Sequence, residues 1–312
     1  MIYKKLLTNS PLLIPDQKFC GIIGVSPSLG ARSPSLWNAC FERLGIDAVF
    51  HAFDVEKPRL AELINVLRLD PLFLGGAVAV PYKELILDHL DDTDCSARLS
   101  GAVNAIYRSA DGRLIGANTD GEAAILCLTE LWGEIKGKNV LCMGTGGASA
   151  AITGGLFEAG AKVSVWGRNH SSTLHFVKKK AEANVMITPI ASIQDSLRTI
   201  DILVNCTTVG FRPDSQENTD SPITPAEISL LPEYCTVYDI IYQPVITQLV
   251  RDVLKTGRQG SNGGTMNLTQ AVLAFSLVFP DVDKRIIFKT MSDRLGQLHK
   301  KGVPASSVEA GK

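Results

Sequence analysis

Gly144-Thr145-Gly146-Gly147 is the stretch of this 312-residue chain best suited to hold a charged ligand. The apolar run Val140 to Met143 before it reads as a buried strand, and the small residues after it begin a helix running to about Ala159. Strand, glycine turn and helix in that order aim backbone N–H groups and a helix N-terminus at a phosphate. Gly144 suits the tight turn, while Gly146, Gly147 and Ala148 let a pyrophosphate approach the backbone. A glycine pattern alone fits an ordinary strand-to-helix turn equally well. Here Ala159-Gly160-Ala161 closes the helix and Lys162 to Trp166 supplies a second strand. That completes a βαβ unit, and the pattern then favours a dinucleotide.

The second strand decides which dinucleotide. A carboxylate that would hold the ribose is expected there, roughly 20 residues after the first glycine. Val165-Trp166-Gly167-Arg168-Asn169-His170-Ser171-Ser172 contains none. Arg168 can stack on adenine and pair with a 2′-phosphate, and Asn169 and Ser171 can donate hydrogen bonds to it. The bland alternative for Arg168 is a solvated surface side chain. A missing acid together with a present base predicts NADP, with NAD the weaker choice.

Elements must position these groups. Strands are expected at Phe19 to Val25, Ala48 to Phe53, Leu72 to Val80 and Asn104 to Tyr107. Helices are expected from Ser33-Pro34 to Leu44, from Val55 to Leu69 and from Pro81 onward. After the glycine turn, strands are expected at Val185 to Ile187, Ile202 to Asn205 and Thr236 to Ile241. Helical periodicity follows at Val245 to Thr256, Asn267 to Val278 and Asp283 to His299. Alternation of this kind predicts an α/β protein of two domains. Residues 1–117 plus 265–312 would form a substrate domain with a mainly parallel sheet. Residues 118–264 would form the dinucleotide-binding Rossmann domain, with the C-terminal helices packing back on the first domain and ligand in the cleft between the two.

The remaining motifs come in an order that resembles the shikimate/quinate dehydrogenase family over nearly the whole chain. They are Ser33-Pro34 with Asn38 and Phe41; Val80-Pro81-Tyr82-Lys83; Gly101-Ala-Val-Asn104; and Asn118-Thr-Asp-Gly121. The glycine turn follows, then Asn205-Cys-Thr-Thr-Val-Gly210, Tyr238-Asp239-Ile-Ile-Tyr242-Gln-Pro244, Thr247, and Met266 through Gln270 to Phe275. The resemblance implies an NADP-dependent oxidoreductase acting on a cyclic hydroxy acid or ketone such as 3-dehydroshikimate, in aromatic amino acid biosynthesis or quinate metabolism. It also implies Lys83 and Asp120 as the catalytic pair, and Ser33, Asn104, Tyr242 and Gln270 as substrate ligands. Thr207 and Gly264 join the cofactor contacts by the same resemblance. Hydride transfer at a carbonyl needs a proton carrier at the oxygen, and a lysine oriented by an aspartate can be one. Without the family frame, a surface lysine at a helix start and an Asp in an Asn-Thr-Asp-Gly turn would explain both residues.

The departures concern the substrate. Where the family usually presents two serines one residue apart, this chain reads Ala31-Arg32-Ser33. Where it usually reads Asn-Val-Thr before the lysine motif, this chain has Ala77-Val78-Ala79. Each unpaired polar group on a buried substrate costs about 1–3 kcal/mol. Two lost contacts would weaken shikimate turnover by roughly 10²- to 10⁴-fold. Two readings stay open: an enzyme for which shikimate is a poor substrate and a less polar or differently substituted cyclic alcohol the true one, or a catalytically idle NADP-binding sensor on the same fold. Another two-domain dehydrogenase, such as a folate-type enzyme, would explain the glycine turn but not Asn118-Thr-Asp-Gly121 or the Gln270 region.

Composition excludes other classes. The chain has 31 basic and 32 acidic residues in no long runs, and a formal charge of −1, so neither nucleic acid nor an anionic membrane is an expected partner. Its apolar runs are too short to span a bilayer. Met1 to Leu7 is basic and then apolar, but Asn9, Pro11, Pro15 and Asp16 interrupt it. Seven scattered cysteines without a C-x-x-C pair point to buried thiols and a cytoplasmic setting. Five histidines lack partners at ligand spacing, so no metal is expected. The tail from Lys300 is expected to be disordered, and the protein a monomer or homodimer.

Overall fold

The computed structural model describes residues 3–9, 16–212 and 219–300; Pro11, Pro15 and the tail beyond Lys300 lie outside the described residues. Two compact units emerge, one of residues 1–119 and 268–295, the other of 120–267 and 296–312.

The first unit is built on a sheet of six strands: β1 (Lys18–Gly24), β2 (Ala48–Asp54), β3 (Phe73–Val78), β4 (Asp92–Thr93), β5 (Ala105–Arg108) and β6 (Leu114–Ala117). Their spatial order is β2-β1-β3-β5-β6-β4. β1 runs parallel to β2 and β3, and β4 parallel to β6, whereas β5 is antiparallel to both neighbours. The reversal follows from a short β5–β6 hairpin, in which Ser109 N–H donates to Arg113 C=O. Leu63, Ile64 and Leu67 from the Leu60–Leu69 helix pack with Phe53 and Phe73 in the core of one face. Trp37 and Phe41 on the Ser33–Leu44 helix meet Phe275 and Phe279, with Trp37 to Phe275 at 4.8 Å between ring centroids. Such aromatic pairs add about 0.5–1.5 kcal/mol beyond the area they bury. The C-terminal segment Leu268–Leu295 thereby belongs to the first unit.

The second unit holds β7 (Asn139–Met143), β8 (Lys162–Trp166), β9 (Thr188–Ile190), β10 (Ile202–Asn205), β11 (Thr236–Asp239) and β12 (Gly260–Asn262). All neighbours pair in parallel, in the order β12-β11-β10-β7-β8-β9. The order reverses direction between β7 and β10, so a crevice opens at the carboxyl ends of those two strands.

Several expectations need correction. The strand placed at Val185 to Ile187 forms at Thr188–Ile190; Val185 and Ile187 are buried in the irregular stretch that follows the turn at Ala183 and Asn184, without pairing to a neighbouring strand. The helix expected from Val55 begins as a short 3₁₀ turn at Lys57–Arg59, with Pro58 inside it, and becomes α-helical only at Leu60. The helix at Pro81 is a single turn, Tyr82–Leu85. Arg32 rather than Ser33 is the N-cap of the Ser33–Leu44 helix, and no side-chain cap hydrogen bond forms there. Asn118-Thr-Asp-Gly121 does not end in a turn: Thr119–Trp132 is a helix of 14 residues.

Candidate active site

Gly144 leaves β7 with φ +108°, a region open to glycine, and a Cβ there would stand 3.2 Å from the Cys206 carbonyl. The Gly147–Glu158 helix starts three residues later with Gly146 as its N-cap, and a Cβ on Gly146 or Gly147 would meet open space. A cavity of about 290 Å³ lies against this turn, lined by Gly144, Thr145 and Gly146, by Trp166 at the end of β8 and Arg168 just beyond it, and by Cys206 to Val209 after β10. Helix N-terminal N–H groups and an exposed guanidinium suit a phosphorylated ligand, and no carboxylate is among the described residues lining the cavity. Asn169 uses its side-chain oxygen to accept from Ser172 N–H, 3.1 Å away, and so caps the next helix; Ser171 is exposed in that helix's first turn, and Ala148 lies in the first turn of the glycine helix. Sequence reasoning passed over Trp166 and Pro222 as lining residues. Trp166 was detectable, since it ends the strand just before Gly167-Arg168.

The wall after β10 is held from behind. Asn205 is fully buried, and its Oδ1 accepts from the backbone N–H of Thr207 at 3.0 Å and from its hydroxyl at 2.7 Å. The Thr207 hydroxyl in turn accepts from Val209 N–H at 3.1 Å. Asn205 donates its amide to Asp239 at 2.9 Å, across the register that pairs β10 with β11. Ile241 N–H and the Thr247 hydroxyl also donate to Asp239, at 3.1 and 2.7 Å. Burial pushes the Asp239 carboxyl up to about 6, against the opposing pull of the Thr247, Ile241 and Asn205 hydrogen bonds.

Lys83 lies half-buried on the single turn after the Val80–Pro81 peptide, and its carbonyl accepts from Val103 N–H at 2.7 Å. Its neighbour Tyr82 is fully buried and donates its hydroxyl to Val55 C=O at 2.7 Å, which anchors the turn. Asn104 and Gln270 come together: the Asn104 amide donates to Gln270 Oε1 at 3.4 Å and to Thr119 Oγ1 at 3.0 Å. Thr119 N–H donates back to Asn104 Oδ1 at 2.8 Å, and Thr119 Oγ1 donates to the Gln270 carbonyl at 3.0 Å. Asp120 follows Thr119 directly in the first turn of its helix. Ser33 is half-buried at the start of its helix. Ala79 packs close to the loop before that helix, since a Cβ on Gly24 would touch both Ala79 Cβ and Pro27. In the second unit, Tyr242 is half-buried three residues after Asp239, and Gly264 starts the Gly264–Val278 helix, its N–H donating to Asn262 Oδ1 at 2.9 Å.

A parallel six-stranded sheet with a glycine turn at its reversal point defines a dinucleotide-binding Rossmann unit. The comparisons then fix the family. The profile of the shikimate dehydrogenase substrate binding domain matches residues 25–106, and that of shikimate / quinate 5-dehydrogenase matches residues 127–211. The shikimate dehydrogenase (NADP(+)) of Symbiobacterium thermophilum is 34% identical over 270 residues, covering 84% of this chain and 89% of that one. Among solved structures, shikimate 5-dehydrogenase from Thermus thermophilus in complex with NADP(H) and shikimate superposes with a TM-score of 0.74 at 28% identity, covering 89% of this chain and all of that one. The 5-ketofructose reductase of Gluconobacter sp. strain CHM43 gives the same TM-score at 26% identity, over 90% and 99% of the two chains. The chain belongs to the shikimate dehydrogenase family.

Proposed function

We propose that this protein is an NADP-dependent oxidoreductase that reversibly reduces a cyclic ketone such as 3-dehydroshikimate. The observation that carries the reading is the retention of Lys83 and Asp120 in a family member whose glycine turn faces Arg168 instead of a carboxylate. NADPH, when bound, supplies the hydride. Gly144, Gly146, Gly147 and Ala148 would hold the pyrophosphate, Arg168, Asn169 and Ser171 the 2′-phosphate, and Thr207 and Gly264 the nicotinamide side. Lys83 gives a proton to the carbonyl oxygen as it becomes an alcohol, and takes it back in the reverse direction. Asp120 would orient the ammonium and accept a hydrogen bond from the substrate. Ser33, Asn104, Tyr242 and Gln270 would orient the ring.

Ala31, Ala77 and Ala79 make 3-dehydroshikimate a poor substrate within this class, because each replaces a polar group by a methyl. A relative of the same fold is named as a 5-ketofructose reductase, which supports a ketone without a carboxylate as the second substrate class to try. The test is NADPH oxidation with 3-dehydroshikimate, 3-dehydroquinate and 5-ketofructose. At least one should turn over, and Lys83→Ala should slow that reaction by about 10²- to 10⁴-fold while NADP affinity stays within about twofold. Cofactor binding without turnover of any cyclic ketone would instead mark an idle NADP-binding protein.

A further inference from the structure

The second unit contains a carboxylate that the reaction does not use. Asp239 has no solvent exposure, yet three donors converge on it: Asn205 amide and Ile241 N–H on Oδ1, and the Thr247 hydroxyl on Oδ2. A group that only accepts suits three donors, and an ionised carboxylate only accepts. The consequence lies on the far side of Asn205. Turned round, the Asn205 amide would set its oxygen against the Asp239 oxygen and its NH₂ against Thr207 N–H. With Asp239 in place it therefore keeps Oδ1 toward Thr207, whose N–H and hydroxyl both donate to it, and the Thr207 hydroxyl in turn receives Val209 N–H. Thr207 and Val209 line the cavity at the glycine turn.

We infer that Asp239 is a positioning residue for the cofactor, acting through Asn205 to hold the Thr207–Val209 wall in its binding form. The inference rests on the cofactor reading given under the proposed function. Charge strengthens the hold, because hydrogen bonds to an ionised acceptor are about twice as strong as neutral ones. Two titratable groups adjoin the carboxylate. Cys206, on the loop after β10, is kept neutral by its hydrogen bond with Cys142 and by burial, and Tyr238, on β11 itself, is kept neutral by burial. The wall thus loosens when Asp239 takes a proton.

Binding of NADP and of NAD, measured by isothermal titration from pH 5 to 8, tests this. NAD lacks the 2′-phosphate, whose own titration near pH 6 would otherwise overlap that of Asp239. Affinity of the wild type for both should fall as pH drops through about 6. Asp239→Asn should bind about five- to tenfold more weakly at pH 7.5, with a flat NAD profile and an unchanged KM for the ketone. Thr247→Val removes one donor from Oδ2 and should move the acid limb to higher pH, while Thr247→Ser should restore it; this pair decides the matter if Asp239→Asn does not fold. Wild-type affinity and an unchanged acid limb in Asp239→Asn, or in Thr247→Val, would overturn the inference. A folded wild type that binds neither dinucleotide at any pH would overturn the cofactor reading, and this inference with it.

Discussion

At the residue scale, Arg168 and Asp239 show two kinds of evidence. Arg168 was legible because its meaning is local: it sits a fixed distance after the glycine turn, where a carboxylate would otherwise be. Its exposed guanidinium lines the cavity, and a charge-assisted bidentate pair with a 2′-phosphate is worth about 1.5–3 kcal/mol. Arg168→Ala should therefore weaken NADP binding by about 10- to 100-fold and leave NAD binding within about twofold, as read by fluorescence titration. Equal losses for both dinucleotides would remove the 2′-phosphate from its role. Asp239 was visible only as one letter of a motif. Its partners come from a neighbouring strand and from a helix cap, and no spacing rule links Asn205, Asp239 and Thr247 along the chain.

At the element scale, the runs that declared themselves were apolar and bounded by turns. β7, β8 and β10 form almost where periodicity set them, with only Asn139 added ahead of β7. Three strands had no such signal, the polar pair Asp92-Thr93 of β4 among them. β12 is the tripeptide Gly260-Ser-Asn262, and β6 is four buried residues interrupted by Gly116. The Thr119–Trp132 helix was hidden by turn chemistry at its own start, where Asn118-Thr-Asp-Gly121 resembles a turn more than a helix end. Its packing explains the glycine. A Cβ on Gly121 would stand 2.7 Å from the Ala151 carbonyl on the Gly147–Glu158 helix, and a Cβ on Gly155 would stand 3.0 Å from the Gly121 carbonyl. One helix carries Asp120 in its first turn and the other starts at the glycine turn, so their spacing bears on both proposed functions. Gly121→Ala should cost about 1–3 kcal/mol in urea unfolding and also weaken NADP binding. Gly296 is the counter-case, in the Lys284–Lys300 helix with open space around its would-be Cβ. Gly296→Ala should stabilise by about 0.5–1 kcal/mol and leave binding alone.

At the scale of the whole molecule, each unit has its own core, and no helix among the described residues is long and apolar enough to cross a membrane. Global stability should carry the signature of Asp239. Its carboxyl is raised from an ordinary 3.8 to about 6 in the folded state, so between those values the native chain holds a proton that the unfolded chain has released. Stability from this group is therefore full below about pH 3.8 and falls as pH rises through 6, by about 3 kcal/mol in all. Urea midpoints of wild type and Asp239→Asn, followed from pH 4.5 to 8, should diverge in the variant's favour as pH rises; parallel curves would show that the carboxyl titrates at its ordinary value. The cysteines have a practical consequence of a different kind. Six of the seven are buried and only Cys95, at the start of the Cys95–Ser100 helix, is exposed. A maleimide dye should thus attach at one point on the first unit without any cysteine being engineered away. Paired with a second label introduced on the second unit, that native handle would report by energy transfer how far apart the units stand as dinucleotide and ketone are added.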